Sequence, residues 1–308
     1  MANKLEPGTL DWKALMAEIR GSIDHYLADN YLVTDTDESL EYFVHYTNME
    51  TVYSMLNNLP CETDEPPHHE SRGLRCYDIS ATNDPNEGKY FLNEIQKKYE
   101  LPEEIITPRK NPPFSCSFIG GKKGVEDELM YWQSYGQDGL GCSIALPKII
   151  RPEKIYKVAY EKRALEKCAE EFGGILQRYK GYWKDKLSEE NKNAFIEEIL
   201  EYFVVLRFLY KDSAYKHERE SRILIPYQDI GEKEHSFDYK PATSHIRKYV
   251  DTDALKTKNL LQSGSIITIG PRVPDLERVR TLFEQLGKQK GLRGPRFVAS
   301  SIPYRKLW

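Results

Sequence analysis

Tyr215-Lys216-His217-Glu218-Arg219-Glu220-Ser221-Arg222 runs straight into Ile223-Leu224-Ile225-Pro226. The apolar, β-favouring tail predicts a strand, and period-2 alternation then places Glu218, Glu220 and Arg222 on one face. Carboxylates at i and i+2 stand roughly 7 Å apart, near enough to raise one another's pKa while Arg222 beside them lowers it. Such a face offers one acid that stays ionised, holding a ribose hydroxyl or a developing cation, and a second that handles a proton. A plainer account of the same residues is a solvated edge strand whose ion pairs contribute about 0–1 kcal/mol each.

Outside this stretch the composition is that of a soluble globular chain. With 308 residues, 40% hydrophobic and 30% charged, it can bury a substantial core and reads as one domain over 1–308. A net charge of -4 gives no global pull toward nucleic acid, although Lys and Arg recur at Arg272 and from Arg278 to Arg296. Five cysteines, Cys61, Cys76, Cys116, Cys142 and Cys168, are odd in number and form no C-x-x-C pair. That pattern argues against a disulfide framework and for a reducing compartment. With no apolar leader and no run of about 18 apolar residues, the expectation is a cytoplasmic protein that is neither secreted nor membrane-spanning.

Along the chain, Leu15, Ile19, Ile23 and Leu27 recur at helical spacing in an N-terminal helical extension, residues 1–38. Strands are expected at 40–47, 74–80, 114–118 and 265–271, with a last one at 297–301. Gly141 to Leu146 and Ile155 to Tyr160 read as an antiparallel pair. Short helices are expected at 49–56, 87–99 and 127–135, and a longer one from Pro274 with Leu276, Val279, Leu282, Phe283 and Leu286 inward. Between the strands lies a two-helix insertion, residues 162–212, whose second helix is capped by Ser188 and carries an apolar stripe from Phe195 to Leu209. Residues 227–252 are polar and read as loop. The fold class is therefore α+β.

No Walker A sequence, G-x-G-x-x-G, H-E-x-x-H or G-x-S-x-G is present. The glycines Gly136, Gly139 and Gly141 precede a strand rather than a helix, so they read as a tight turn and not as a phosphate loop. His68-His69 lacks further ligands at metal spacing, and no metal is expected there. What remains is a set of polar residues at strand ends: His45-Tyr46-Thr47, Ser80 with Asn83-Asp84, Ser115 with Ser117, and Glu218 with Glu220.

These residues carry a resemblance. His45-Tyr46-Thr47, the run Ser80-Ala81-Thr82-Asn83-Asp84-Pro85-Asn86-Glu87, Ser115-Cys116-Ser117-Phe118, Met130-Tyr131-Trp132-x-x-Tyr135-Gly136, Tyr215-x-x-Glu218-x-Glu220-x-Arg222 and Ile269-Gly270-Pro271 occur in this order. The series resembles the bacterial domain-of-unknown-function family 2971 over roughly residues 40 to 305. The N-D-P-x-E and E-x-E-x-R pieces are its specific parts, and Tyr215 stands where that family usually has Trp.

A second resemblance, to the ADP-ribosyltransferase superfamily, rests on the order of a His-Tyr strand, a serine strand and a later Glu-x-Glu strand. It implies a split, mainly antiparallel sheet and NAD as substrate. His45 would contact the adenosine ribose, Tyr46 or Tyr77 would stack near the nicotinamide, and Ser115 or Ser117 would support the sugar. Glu220 would be the catalytic acid and Glu218 would orient the nucleophile. Thr47, Ser80 and Asn83 complete the expected NAD-binding set, with Arg222 or Arg272 on the pyrophosphate. Family context suits a bacterial anti-phage or toxin-like effector acting on a protein or nucleic-acid acceptor, with a partner or regulator protein. Two other functions fit the same residues. One is a metal-dependent nuclease using Asp84, Glu87, Glu218 and Glu220. The other is a non-catalytic nucleotide-binding sensor.

Overall fold

The computed structural model describes residues 12–59, 73–79, 84–99, 112–150, 154–185, 188, 199, 203–230, 235–240 and 245–304. Their architecture is α+β, with helices around an open and mostly antiparallel sheet of 10 strands. The strands are β1 (Tyr42–Thr47), β2 (Gly73–Asp78), β3 (Phe114–Gly121), β4 (Cys142–Pro147) and β5 (Tyr156–Lys157), then β6 (Glu220–Ile225), β7 (Ser236–Lys240), β8 (His245–Lys256), β9 (Ile266–Ile269) and β10 (Arg296–Ala299). Neighbours run β10-β9-β4-β1-β3-β2-β8-β7, while β6 pairs with β3 and carries β5 on its other side. Only β9 and β10 are parallel among the described pairs, and the helix Leu276–Gln289 makes the crossover that a parallel pair requires.

Alternation sorts the sheet residues between two surroundings. Phe43, Leu74, Cys76, Cys116, Phe118 and Ile223 point to one face, where a buried cluster packs them against the helices Met49–Asn57 and Leu276–Gln289. A second cluster unites Ile19, Ile23 and Leu27 of the helix Trp12–Asn30 with Phe91, Phe172, Phe203 and Leu224 of β6. Its centre is a set of edge-on rings, with centroids 4.6 Å apart for Phe172 and Phe203 and 5.4 Å for Phe91 and Phe203. The N-terminal helix and the helical insertion thus share one core with the sheet. Of the predicted second helix of the insertion, residues 199 and 203–207 are helical and Ile199, Phe203 and Leu206 of its stripe are buried as expected; most of the rest lies outside the described residues.

Several expectations are corrected. Residues 155–160 do not pair with β4, which lies between β1 and β9. Their backbone bonds go instead to several segments: Val33 N to Ile155 O at 2.9 Å, Val158 N to Glu220 O at 3.0 Å and Ala159 N to Leu209 O at 2.9 Å. The polar stretch 227–252 contains β7 and most of β8, paired from Ser236 opposite Tyr249 to Lys240 opposite His245. Leu282 is 54% exposed rather than inward. Gly120 and Gly121 belong to β3 rather than closing it. At the mouth of β4, Gly141 is required by close approach, since a Cβ there would lie 2.1 Å from the Thr47 carbonyl oxygen.

Candidate functional site

The site begins where the sheet parts. Along one edge β3 pairs with the whole of β6, from Phe114 opposite Ile225 to Ile119 opposite Glu220. Its other edge is divided: β1 takes Ile119, Gly120 and Gly121, and β2 takes Ser115 and Phe114. Between them, Cys116, Ser117 and Phe118 have no strand partner on that side among the described residues. The His45 ring reaches into the gap and donates Nδ1–H to the Ser117 carbonyl at 2.9 Å. A carbonyl can only accept, so this bond fixes the ring proton on Nδ1 and leaves Nε2 as the acceptor of the neutral ring. A cleft of about 990 Å³ opens at the parting and is lined by His45, Thr47, Tyr77, Ser115, Ser117, Glu218 and Glu220, among others.

His45 and Glu220 therefore line one cleft, from opposite faces by register. Val44 pairs with Ile119 and Ile119 with Glu220, so these three share a face and His45 belongs to the other. Ser115, Ser117, Arg222 and Glu220 lie together on the first face, as alternation predicts.

The paired acids differ from expectation in their geometry. Glu218 is not on the strand; it ends a 3-10 helix, Ser213–Glu218, which Asp212 caps by accepting from Ala214 N at 2.9 Å. Arg219 follows in the left-handed region, with φ 45° and ψ 42°, and turns the chain so that β6 begins at Glu220. Nor is β6 a solvated edge strand, because it has partners on both sides and all but the last of its residues are buried.

The acids converge on a cation that the motif did not contain. Lys211 Nζ lies 2.7 Å from Glu218 Oε2, 2.7 Å from Glu220 Oε2 and 3.7 Å from Glu87 Oε2. Arg222, 1% exposed, bridges Glu87 through Nη1 and Glu220 through Nη2, the latter at 2.5 Å. Its Nη1 also donates to the Phe208 carbonyl at 3.1 Å. Tyr135 donates its hydroxyl to Glu218 Oε1, and the Tyr160 hydroxyl accepts Glu220 N at 2.8 Å. Glu87 is placed by the turn that Asp84 opens, where Asp84 Oδ1 accepts Asn86 N at 2.9 Å and Asp84 O accepts Glu87 N at 3.1 Å. The two most specific pieces of sequence, N-D-P-x-E and E-x-E-x-R, meet here in one ion cluster.

Burial alone would raise the Glu220 carboxyl, but Arg222 and Lys211 outweigh it and hold it down at about 2. Burial would likewise lower Arg222 and Lys211, and the surrounding carboxylates, Glu220 foremost, instead keep both firmly protonated. Glu220 is thus a fixed carboxylate and not a proton donor. Three carboxylates against two cations leave the cluster one formal negative charge beside the cleft.

Other expected residues are distributed unevenly. Tyr46 borders the cleft, yet its ring packs edge-on against Trp132 at 4.9 Å and its hydroxyl donates to Val125 O at 2.9 Å. It is a wall residue rather than a free stacking surface. Tyr77 lies in the cleft with the Arg247 guanidinium 4.8 Å from its ring centre. Its hydroxyl donates to Asp238 Oδ2 at 2.7 Å, and burial, then Asp238, pushes it up to about 12. Ser80 and Asn83 lie outside the described residues. Arg272 is not among the cleft residues: it binds Asp138 and lies over the Tyr304 ring. Arg222 lines the cleft but is held by Glu87, Glu220 and the Phe208 carbonyl.

Lys211, Tyr135, Arg75, Arg247 and Asp238 were not among the expected site residues, and Glu87 was expected only as a metal ligand of the nuclease reading. Only Glu87 carried a local signal, as the acid ending the Asn-Asp-Pro turn. Neither a family model, nor a curated protein, nor a solved structure matches this chain.

Proposed function

We propose that the cleft binds NAD and that the chain cleaves its nicotinamide–ribose bond, passing ADP-ribose to water or to a macromolecular acceptor. The observation that carries this reading is that His45 and Glu220, far apart in sequence, line one cleft where the sheet parts along β3. An ADP-ribosyltransferase-like sheet, open between its two halves, is the arrangement this reading calls for. When the C–N bond breaks, its electron pair leaves with neutral nicotinamide and positive charge develops on the ribose. Glu220, ionised and immobile, together with the residual negative charge of its cluster, favours that charge in the transition state over the ground state. Glu218, held by Tyr135 and Lys211, takes the proton of the attacking hydroxyl. His45 and the serines of β3 position the sugars.

The metal-dependent nuclease is the weaker reading on a specific ground. Lys211 Nζ already stands among the acids that would ligate an ion, and no metal-holding cluster occurs among the described residues. The test is release of nicotinamide from NAD by the purified chain. Glu220→Gln is expected to lower turnover by about 10²–10³-fold with little change in NAD binding, and a chelator is expected to change nothing. Equal turnover in Glu220→Gln removes Glu220 from the chemistry. Saturable NAD binding without turnover makes the chain a nucleotide-binding module instead.

A further inference from the structure

On the β2, β8 and β7 side of the cleft, one sheet face carries Arg75 and Tyr77, then Tyr249 and Arg247, then Asp238. The registers Tyr77 opposite Tyr249 and Asp238 opposite Arg247 put them on the same side, and Tyr77 opposite Ser115 joins that face to the one bearing Arg222 and Glu220. From β6 across β3 and β2 to β8 is three strand spacings, about 14 Å. The acid cluster and this cationic, aromatic group therefore mark two separate ends of one cleft.

The cations of the cleft differ in what neutralises them. Lys211 and Arg222 are charge-paired within the acid cluster, although the buried Arg222 Nε also lacks a hydrogen-bond partner among the described residues. Arg75 lies over the Tyr249 ring at 4.0 Å, and has Asp238 at 3.3 Å and Asp251 at 3.9 Å. Arg247 alone has no carboxylate within ion-pair distance among the described residues; its contact is the Tyr77 ring, and its buried Nε has no hydrogen-bond partner there. The buried hydroxyl of Ser115, next across the sheet from Tyr77, is likewise without a partner among the described residues. An uncompensated guanidinium laid on an aromatic face, beside an unmatched hydroxyl, is a receptor for an oxyanion, and its planar fork fits phosphate best.

We propose that Arg247, supported by Tyr77 and Ser115, binds the diphosphate of a nucleotide whose sugar lies toward Glu220. The proposal rests on the nucleotide reading of the cleft, but not on any cleavage. Arg75, shared between Asp238 and Asp251, completes the rim and limits the total negative charge the site accepts.

Isothermal titration of the full chain with ADP, pyrophosphate and adenosine tests it. ADP is expected to bind, and Arg247→Gln to weaken it at least about tenfold, with Arg247→Lys losing less and adenosine affected by neither. Pyrophosphate bound as well as ADP would place the recognition in the phosphates alone, still at Arg247. Equal ADP affinity in Arg247→Gln, or no ADP binding by the unaltered chain, overturns the proposal. Because Arg247 makes no ion pair within the described chain, the variant is expected to keep its thermal midpoint; should it not, the Arg247→Lys titration decides. ADP binding that depends on Arg247 without NAD consumption leaves this site standing and removes the cleavage reading. NAD consumption with an unchanged KM in Arg247→Gln does the reverse.

Discussion

At the scale of single residues, Glu220 and Lys211 make opposite demands on pH and on packing. The folded-state pKa of Glu220 is depressed from an ordinary 4.5 to about 2. Its contribution to stability is therefore fully present above about 4.5 and is lost as pH falls through about 2, because the unfolded chain takes up the proton first. On the order of 3 kcal/mol is at stake over that window. Acid unfolding followed by circular dichroism should show a steeper loss in the unaltered chain than in Glu220→Gln; parallel curves would mean that the cations do not hold this carboxylate. For Lys211→Met, three buried acids lose their shared ammonium while only Arg222 remains. Removing one member of a buried ionic group costs about 3–5 kcal/mol, so a large fall in the urea midpoint is expected. With Glu220 held down less once Lys211 is gone, the variant's stability should also fall less steeply below about pH 4.5 than that of the unaltered chain.

At the scale of elements, the turn into β4 is where the cleft is most sensitive to a single methyl group. Gly141→Ala would press a Cβ against the Thr47 carbonyl at the end of β1, two residues from His45. Overpacking of this kind costs about 1–3 kcal/mol, and the variant should bind nucleotide more weakly than its stability loss explains; unaltered affinity would show that the end of β1 does not shape the site. The sequence made the apolar strands legible because Phe114 to Phe118 and Ile266 to Ile269 alternate or run continuously. It hid β7 and β8. In β8, Arg247, Tyr249 and Asp251 face the cleft side, while on the other face buried Val250 follows Lys248 and exposed Ile246, so the alternation that betrays a strand is broken. A strand that lines a polar site is, for that reason, hard to tell from a loop. Glu218 failed differently: alternation put it on the strand with Glu220, but the left-handed turn at Arg219 intervenes. The expected convergence was met by Lys211, seven residues upstream and outside the motif.

At the scale of the whole molecule, the helices from both ends of the helical region share the aromatic cluster of Phe91, Phe172 and Phe203 with Leu224 of β6. Phe203→Ala is expected to destabilise by about 3–5 kcal/mol, and to lower one cooperative transition seen alike by near- and far-ultraviolet dichroism. Two separated transitions would show the helical layer to be an independent unit. The sequence marked residues 162–212 as an insertion because its periodicity changes there; what it did not reveal is that the insertion ends by delivering Lys211 to the acids. In this molecule the ion that reconciles three crowded acids is tethered to the backbone. Dialysis cannot strip it, and the same charges are brought together each time the chain folds.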